Sequence, residues 1–287
     1  MQAQSPLSPQ QEGVELAVIS DLHLGGPLTQ VIPLLRMLKS LKLRKDGVLL
    51  INGDLLNLHG KRLADVAAIA LLPGHVEVLA RIAEIAITHK VVAVAGNHDP
   101  IVDLRETLQF LSSTELFGRD LSGLRMIEFR RKPWIWYSNG HKLVAVHGHQ
   151  FDNPVVTHSR FAPIVTRVFE WLVRRDIGKK TITKWLSRVV SPWSAKKETF
   201  IEAALQFAEN ESAHILLCGH RHDAEAEWRE HQGRHILLVD LGCWTDRPPT
   251  WVTIADGVLR LHGLPSFFAY SQPTIRTEVP IKWSAVT

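Results

Sequence analysis

An α/β domain built on a mainly parallel sheet is the fold class this sequence predicts, on three observations. Short, apolar, β-branched runs alternate with helical segments through the N-terminal part of the chain. Each run breaks abruptly into a cluster of Asp, Asn, Gly and His. The composition is that of a globular chain, 287 residues with 45% hydrophobic and 22% charged, which excludes fibrous, collagen-like and mostly disordered classes.

Taken in order, residues 1–13 are polar, carry Pro6 and Pro9, and read as a flexible start without the basic stretch and apolar core of a secretory signal. Residues 14–20 form a buried strand that Asp21 ends. Residues 29–45 have helical periodicity through Leu34, Leu35, Leu38 and Leu41. Residues 47–52 (GVLLIN) are a second buried strand. A helix over 64–90, interrupted at Pro73-Gly74, leads to a third strand at 91–95. After a short helix at 103–111 the texture changes to strands at 124–130, 133–137 and 142–147. Residues 153–200 are helical, basic and aromatic, with Phe161, Phe169, Trp171, Trp185 and Trp193. A helix at 195–210 precedes strands at 215–218, 224–228, 235–241, 250–255 and 258–262. The stretch from Leu264 is interrupted by prolines and reads as a surface extension. The organisation is thus a flexible 1–13, a domain over 14–263 with an insertion at about 153–200, and an extension over 264–287.

The net charge is +4, with 33 basic and 29 acidic residues. It is unevenly placed: residues 153–200 hold ten Lys and Arg against Glu170, Asp176 and Glu198, so the remainder of the chain is net acidic. Basic charge interleaved with Trp and Phe suits a cap over an amphiphilic anion, peripheral contact with a membrane surface, or a solvated helical face. No run reaches the apolar length a membrane span needs, and the expected location is cytoplasmic, peripheral to the inner membrane surface if the insertion touches lipid. The two cysteines, Cys218 and Cys243, make no disulfide framework and read as small core residues.

The chemistry sits at the strand ends. The clusters are Asp21-Leu22-His23, Asn52-Gly53-Asp54, Gly96-Asn97-His98-Asp99, His147-Gly148-His149 and Gly219-His220-Arg221-His222. Ligands of α/β sheets bind beyond the carboxyl ends of the strands, so clusters far apart in sequence become neighbours. Carboxylate and amide oxygens with imidazole nitrogens suit borderline divalent ions: Mn²⁺ first, with Fe²⁺ and Zn²⁺ also fitting. A carboxylate such as Asp54 can bridge two cations, and two cations about 3.5–4 Å apart can clamp a phosphoryl group.

The ordered set D-x-H, G-D, G-N-H-D, H-G-H and G-H-x-H, running from Asp21 to His222, resembles the calcineurin-like metallophosphoesterases. The resemblance implies a four-layer α/β/β/α sandwich with a helical cap insertion and two divalent metal ions. It implies Asp21, His23 and His222 on the first metal, Asp54 bridging, and Asn97, His147 and His220 on the second. His98 would contact the phosphate and protonate the leaving group or stabilise charge, and Asp99 would orient His98. His149 and Asp152 would support the site rather than ligate. Arg221 would either meet a substrate phosphate or offset Asp223 and Glu225. Asn57 stands where other members carry an acid and reads as a neutral supporting residue; His59 reads as a loop residue. The implied reaction is hydrolysis of a phosphodiester or pyrophosphate, with a hydroxide between the metals attacking phosphorus in line.

Two features resemble one branch, the UDP-2,3-diacylglucosamine pyrophosphatase-like phosphohydrolases. They are the run from His147 to Asp152 followed by a helical insert, and Leu241-Gly242-Cys243-Trp244-Thr245 before a late hairpin. That branch implies a lipid-linked nucleotide as substrate. The enzyme that defines it carries Arg at the position of His98 and Asp at that of His149, whereas His98 follows the wider family. The competing readings are a metal-dependent nuclease or cyclic-nucleotide phosphodiesterase, with nucleic acid against the basic segment, and a non-catalytic scaffold on the same fold.

Overall fold

Apolar runs with no polar alternation need cover on both faces, and the strands receive it. The computed structural model describes residues 13–58, 74–113, 118–152, 197–265 and 272–281. Strands β1 (Val14–Ile19), β2 (Leu43–Asn52), β3 (Lys90–Val94) and β4 (Glu128–Arg130) run parallel. Antiparallel β10 (Thr250–Ala255), β11 (Val258–Gly263) and β12 (Thr274–Pro280) complete a seven-stranded sheet of order β12-β11-β10-β1-β2-β3-β4. The second sheet has order β5-β6-β7-β9-β8. Its strands are β5 (Trp134–Ser138), β6 (His141–Ala145), β7 (Ile215–Cys218), β8 (Glu225–His231) and β9 (Arg234–Asp240).

Residue alternation along β1 sets the layers. Leu16 and Val18 join Leu143, Ala145, Leu217 and Val239 in a core between the sheets. Ala17 and Ile19 turn the other way, onto α1 (Val31–Ser40), α2 (His75–Thr88) and α3 (Ile101–Ser112). On the far side, Val144, Leu216 and Cys218 pack against Phe200, Ala204 and Ala208 of α4 (Lys197–Asn210). The result is the α/β/β/α sandwich with two mixed sheets. No helix among the described residues is long and apolar enough to cross a membrane.

The structure corrects several boundaries. The sheets are mixed rather than mainly parallel, because hairpins add antiparallel strands. The turns at Asn139-Gly140, Gln232-Gly233 and Asp256-Gly257 put both residues at positive φ, as two-residue hairpins require. The first helix ends at Ser40 rather than Lys45; Arg44 is drawn into β2 by Glu15 and Asp256, each 2.6 Å away. Residues 124–130 are not one strand: a 3₁₀ turn at Ser122–Met126 packs Leu124 under the helices before the short β4. Part of the C-terminal extension is the edge strand β12, which carries Val279 into the core between the sheets. The cap expected over 153–200 lies outside the described residues except where 197–200 open α4, as do residues 1–12, His59, the part of the expected helix over 64–73, and residues 266–271 and 282–287.

His75 at the start of α2 gives a pH test of this framework. Its Nδ1 accepts the Gly25 N–H at 3.0 Å, which requires the ring to be neutral. Burial lowers its pKa from 6.5 to about 4. A depressed histidine pKa means the unfolded chain binds the proton more tightly. Its contribution is therefore complete above about pH 6.5 and is lost as pH falls towards 4, at most about 3 kcal/mol. Urea unfolding of the wild type and His75→Gln at pH 7 and 4.5 should show the smaller pH loss in the variant; equal losses would remove His75 from the account.

Candidate metal centre

Parallel β1, β2 and β3 deliver Asp21, Asp54 and Asn97 to one edge of the first sheet, and parallel β6 and β7 bring His147 and His220 to the facing edge of the second. Backbone bonds lace the loops together. Asp21 N donates to Gly53 O (3.2 Å), His23 N to Asp54 O (2.8 Å), and Gly219 N to His147 O (2.8 Å). Five of these polar residues, Asp21, His23, Asp54, His220 and His222, hold φ between 46° and 72°. Asp and His are among the few residues other than glycine that enter this left-handed region at all, and five of them along one edge is a concentration of sparsely populated backbone. The loops also touch closely: a Cβ on Gly96 would lie 2.0 Å from Asp54 Oδ1, and one on Gly53 2.3 Å from His147 Nδ1.

The side chains form two groups that share Asp54. In the first, Asp21 Oδ1 lies 3.2 Å from His222 Nε2 and 3.8 Å from His23 Nε2, which is 3.6 Å from Asp54 Oδ2. In the second, His147 Nε2 is 3.3 Å from Asp54 Oδ2 and 3.1 Å from Asn97 Oδ1; His220 Nδ1 is also 3.1 Å from Asn97 Oδ1. Asp21 Oδ1 and His23 Nε2 are buried without a hydrogen bond, although such atoms are ordinarily paired. These orphaned atoms, facing one another among oxygen and imidazole donors, fit divalent cations.

Three histidines have one nitrogen on an outer acceptor and the other aimed inward. His147 Nδ1 is 3.0 Å from Asn52 O, His220 Nε2 is 3.1 Å from Asp152 Oδ2, and His222 Nδ1 is 2.6 Å from Asp246 Oδ1. Such contacts fix which ring nitrogen keeps its proton and which can ligate. Burial opposes ionisation of His147, but Asp54 and Asp21 overcome it and raise its pKa to about 10. Burial likewise opposes charge on Asp21 and Asp54, yet His147, with His222 and His23 on Asp21 and His98 and His23 on Asp54, holds both well below the usual carboxylate range. A cation held by these groups would displace protons and would bind less tightly as pH falls.

Asp99 is placed differently from the expected arrangement. Its buried carboxylate takes the N–H groups of Asp54 (3.1 Å), Gly96 (3.0 Å) and Leu56 (3.0 Å). The residue on His98 Nδ1 is Asn57, whose Oδ1 is 3.2 Å away. His98 stands edge-on to His23, ring centres 4.7 Å apart, and its N–H donates to Asp54 Oδ1 at 2.9 Å. His149 lies with its ring 5.5 Å from His147 and 6.4 Å from His220, beside the second group. Arg221 stacks over Phe200 at 5.1 Å, towards α4. Sequence reasoning missed Asp246; Cys243, read as a small core residue and buried here, has its thiol 3.4 Å from Asp246 Oδ1. The signal for Asp246 was its place directly after the Leu241–Thr245 stretch.

A two-sheet sandwich with a cluster of oxygen and imidazole donors along one edge defines the metallophosphoesterase class. Residues 14–224 match the family model described as calcineurin-like phosphoesterase, and the chain belongs to that family. No curated protein matches the chain. Similar solved structures include Yfce, a phosphoesterase from E. coli, at 19% identity over 93% of this chain and 99% of that one, TM-score 0.47. Vacuolar protein sorting 29 from Cryptosporidium parvum is 15% identical over 93% and 98%, TM-score 0.45. Wild-type Vps29 complexed with zinc from Entamoeba histolytica is 14% identical over 93% and 99%, TM-score 0.42.

Proposed function

We propose that the protein is a metal-dependent hydrolase of phosphodiesters or pyrophosphates with a dinuclear centre. Asp21, His23 and His222 hold one cation, Asn97, His147 and His220 the other, and Asp54 both. The observation that carries this reading is the sharing of Asp54 Oδ2 between His23 Nε2 at 3.6 Å and His147 Nε2 at 3.3 Å, one from each donor group. Bound divalent cations, with Mn²⁺ the first choice, supply charge neutralisation for the phosphoryl group and acidify a water. The chain's own part is orientation. Asn57 fixes the His98 ring and the Asp54 carboxylate holds the His98 backbone. His98 is thereby assigned to the phosphate and the leaving oxygen, as a proton donor or a stabiliser of charge.

The basic and aromatic residues of 153–200 favour an amphiphilic substrate, with UDP-2,3-diacylglucosamine or a related lipid-linked nucleotide as the specific proposal. The assay is hydrolysis of bis(p-nitrophenyl) phosphate by metal-depleted protein before and after Mn²⁺ addition. A parallel panel holds UDP-2,3-diacylglucosamine, nucleoside diphosphate sugars, cyclic nucleotides and single-stranded DNA. Mn²⁺-dependent turnover is expected, and His98→Ala should lower it by about 10²–10⁴-fold while keeping its metal. Absence of metal-dependent hydrolysis across the panel would overturn the proposal; salt-sensitive DNA cleavage alone would replace the lipid-linked substrate with nucleic acid.

A further inference from the structure

We propose that Asp246 is a positioning residue of the first cation site, acting through His222; the inference rests on the metal-hydrolase reading above. Asp246 lies outside the five donor clusters, on the loop between β9 and β10. Its Oδ1 is 2.6 Å from His222 Nδ1, while the other ring nitrogen faces Asp21 Oδ1 at 3.2 Å. An imidazole whose Nδ1–H is taken by a carboxylate presents its Nε2 lone pair in one fixed direction. Here that direction is towards Asp21.

The carboxylate is itself held. Thr245 Oγ1 donates to the same oxygen at 3.0 Å and Cys243 Sγ lies at 3.4 Å. The loop is anchored to the residue on the other side of the cation site: Trp244, fully buried, donates its backbone N–H to Asp21 O at 3.1 Å. Trp244 O accepts Gln30 N at 2.7 Å, and Gln30 Nε2 donates to Thr245 O at 2.8 Å and Arg247 O at 2.7 Å. One loop thus sets the backbone of Asp21 and the ring of His222 together. An ordinary surface ion pair has no such anchoring and contributes little. The Asp246 side chain is 49% exposed, so its removal takes no packing from the core.

The test is calorimetric titration of the metal-free full chain with Mn²⁺, comparing wild type, Asp246→Ala and Asp246→Asn, with urea unfolding of each metal-free protein. The expected wild-type result is two sites. Asp246→Ala should weaken one of them by about 10–100-fold and leave the other and the unfolding midpoint unchanged. Asp246→Asn keeps a carbonyl acceptor and should recover most of the loss. Two wild-type sites together with an unaltered Asp246→Ala would overturn the positioning role alone. Equal weakening of both sites with a lowered midpoint would show a fold defect and overturn it too. A wild type that binds no Mn²⁺ would bring down the metal-hydrolase reading itself.

Discussion

Asp54→Ala is expected to lose turnover by about 10³-fold or more, on the scale of removing a principal electrostatic anchor, and to hold fewer cations than the wild type. The carboxylate cannot be replaced from nearby. Its Oδ2 lies between His23 and His147, and its Oδ1 is fixed by the His98 N–H at 2.9 Å with Gly96 closed against it. Asp54→Asn separates charge from shape, because the amide keeps an oxygen for His98 but loses the negative charge. His147 should then titrate lower than in the wild type, since Asp54 is the largest influence raising it. Metal analysis, turnover on the diester and a His147 NMR titration check the three claims. A variant with two bound cations and undiminished turnover would remove Asp54 from the bridging position.

The legible part of the site was the part written at strand ends. A strand covered on both faces is an unbroken apolar run, so Ile19, Ile51 and Val94 stop sharply and the donors that follow stand out. Parallel neighbours end on the same edge, which is why five clusters scattered over the chain could be taken as one place. Supporting contacts follow no such rule. His98 and Asp99 are adjacent in sequence, which suggests a pair. In the fold, Asp99 turns beneath the loops to their backbone amides, and Asn57 Oδ1 stands on the imidazole. Asp246 meets His222 across 24 residues only because Trp244 brings the loop back onto Asp21.

The same division holds for the architecture. Apolar runs and helical periodicity located β1, α1 and β3, but the hand-over from α1 to β2 depended on Arg44 finding Glu15 and Asp256, contacts between distant segments. Strand β12 was illegible because its alternation is weak: Ile275 is exposed, and only Val279 of the strand reaches the core.

Asp99→Ala should produce the largest loss of stability, about 3–5 kcal/mol by the cost of removing one partner from a buried charged network. Three N–H groups, from Asp54, Leu56 and Gly96, would lose their acceptor where no water reaches, because Asp99 is fully buried. Burial and the Asp54 charge push the Asp99 pKa up, while the Leu56 amide, the His147 charge and the Gly96 amide pull it down; the hydrogen bonds that hold the carboxylate come from backbone amides. The two roles separate experimentally. If Asp99 acted through His98, Asp99→Ala would copy His98→Ala: slower turnover at an unchanged urea midpoint. As a bracket between the β2 and β3 loops it should lower the midpoint and loosen Asp54 with it, so that stability, metal retention and rate fall together. Asn57→Ala should instead slow turnover through His98, because the Asn57 Oδ1 braces that ring. A stable Asp99→Ala beside an unaffected Asn57→Ala would reverse the assignment.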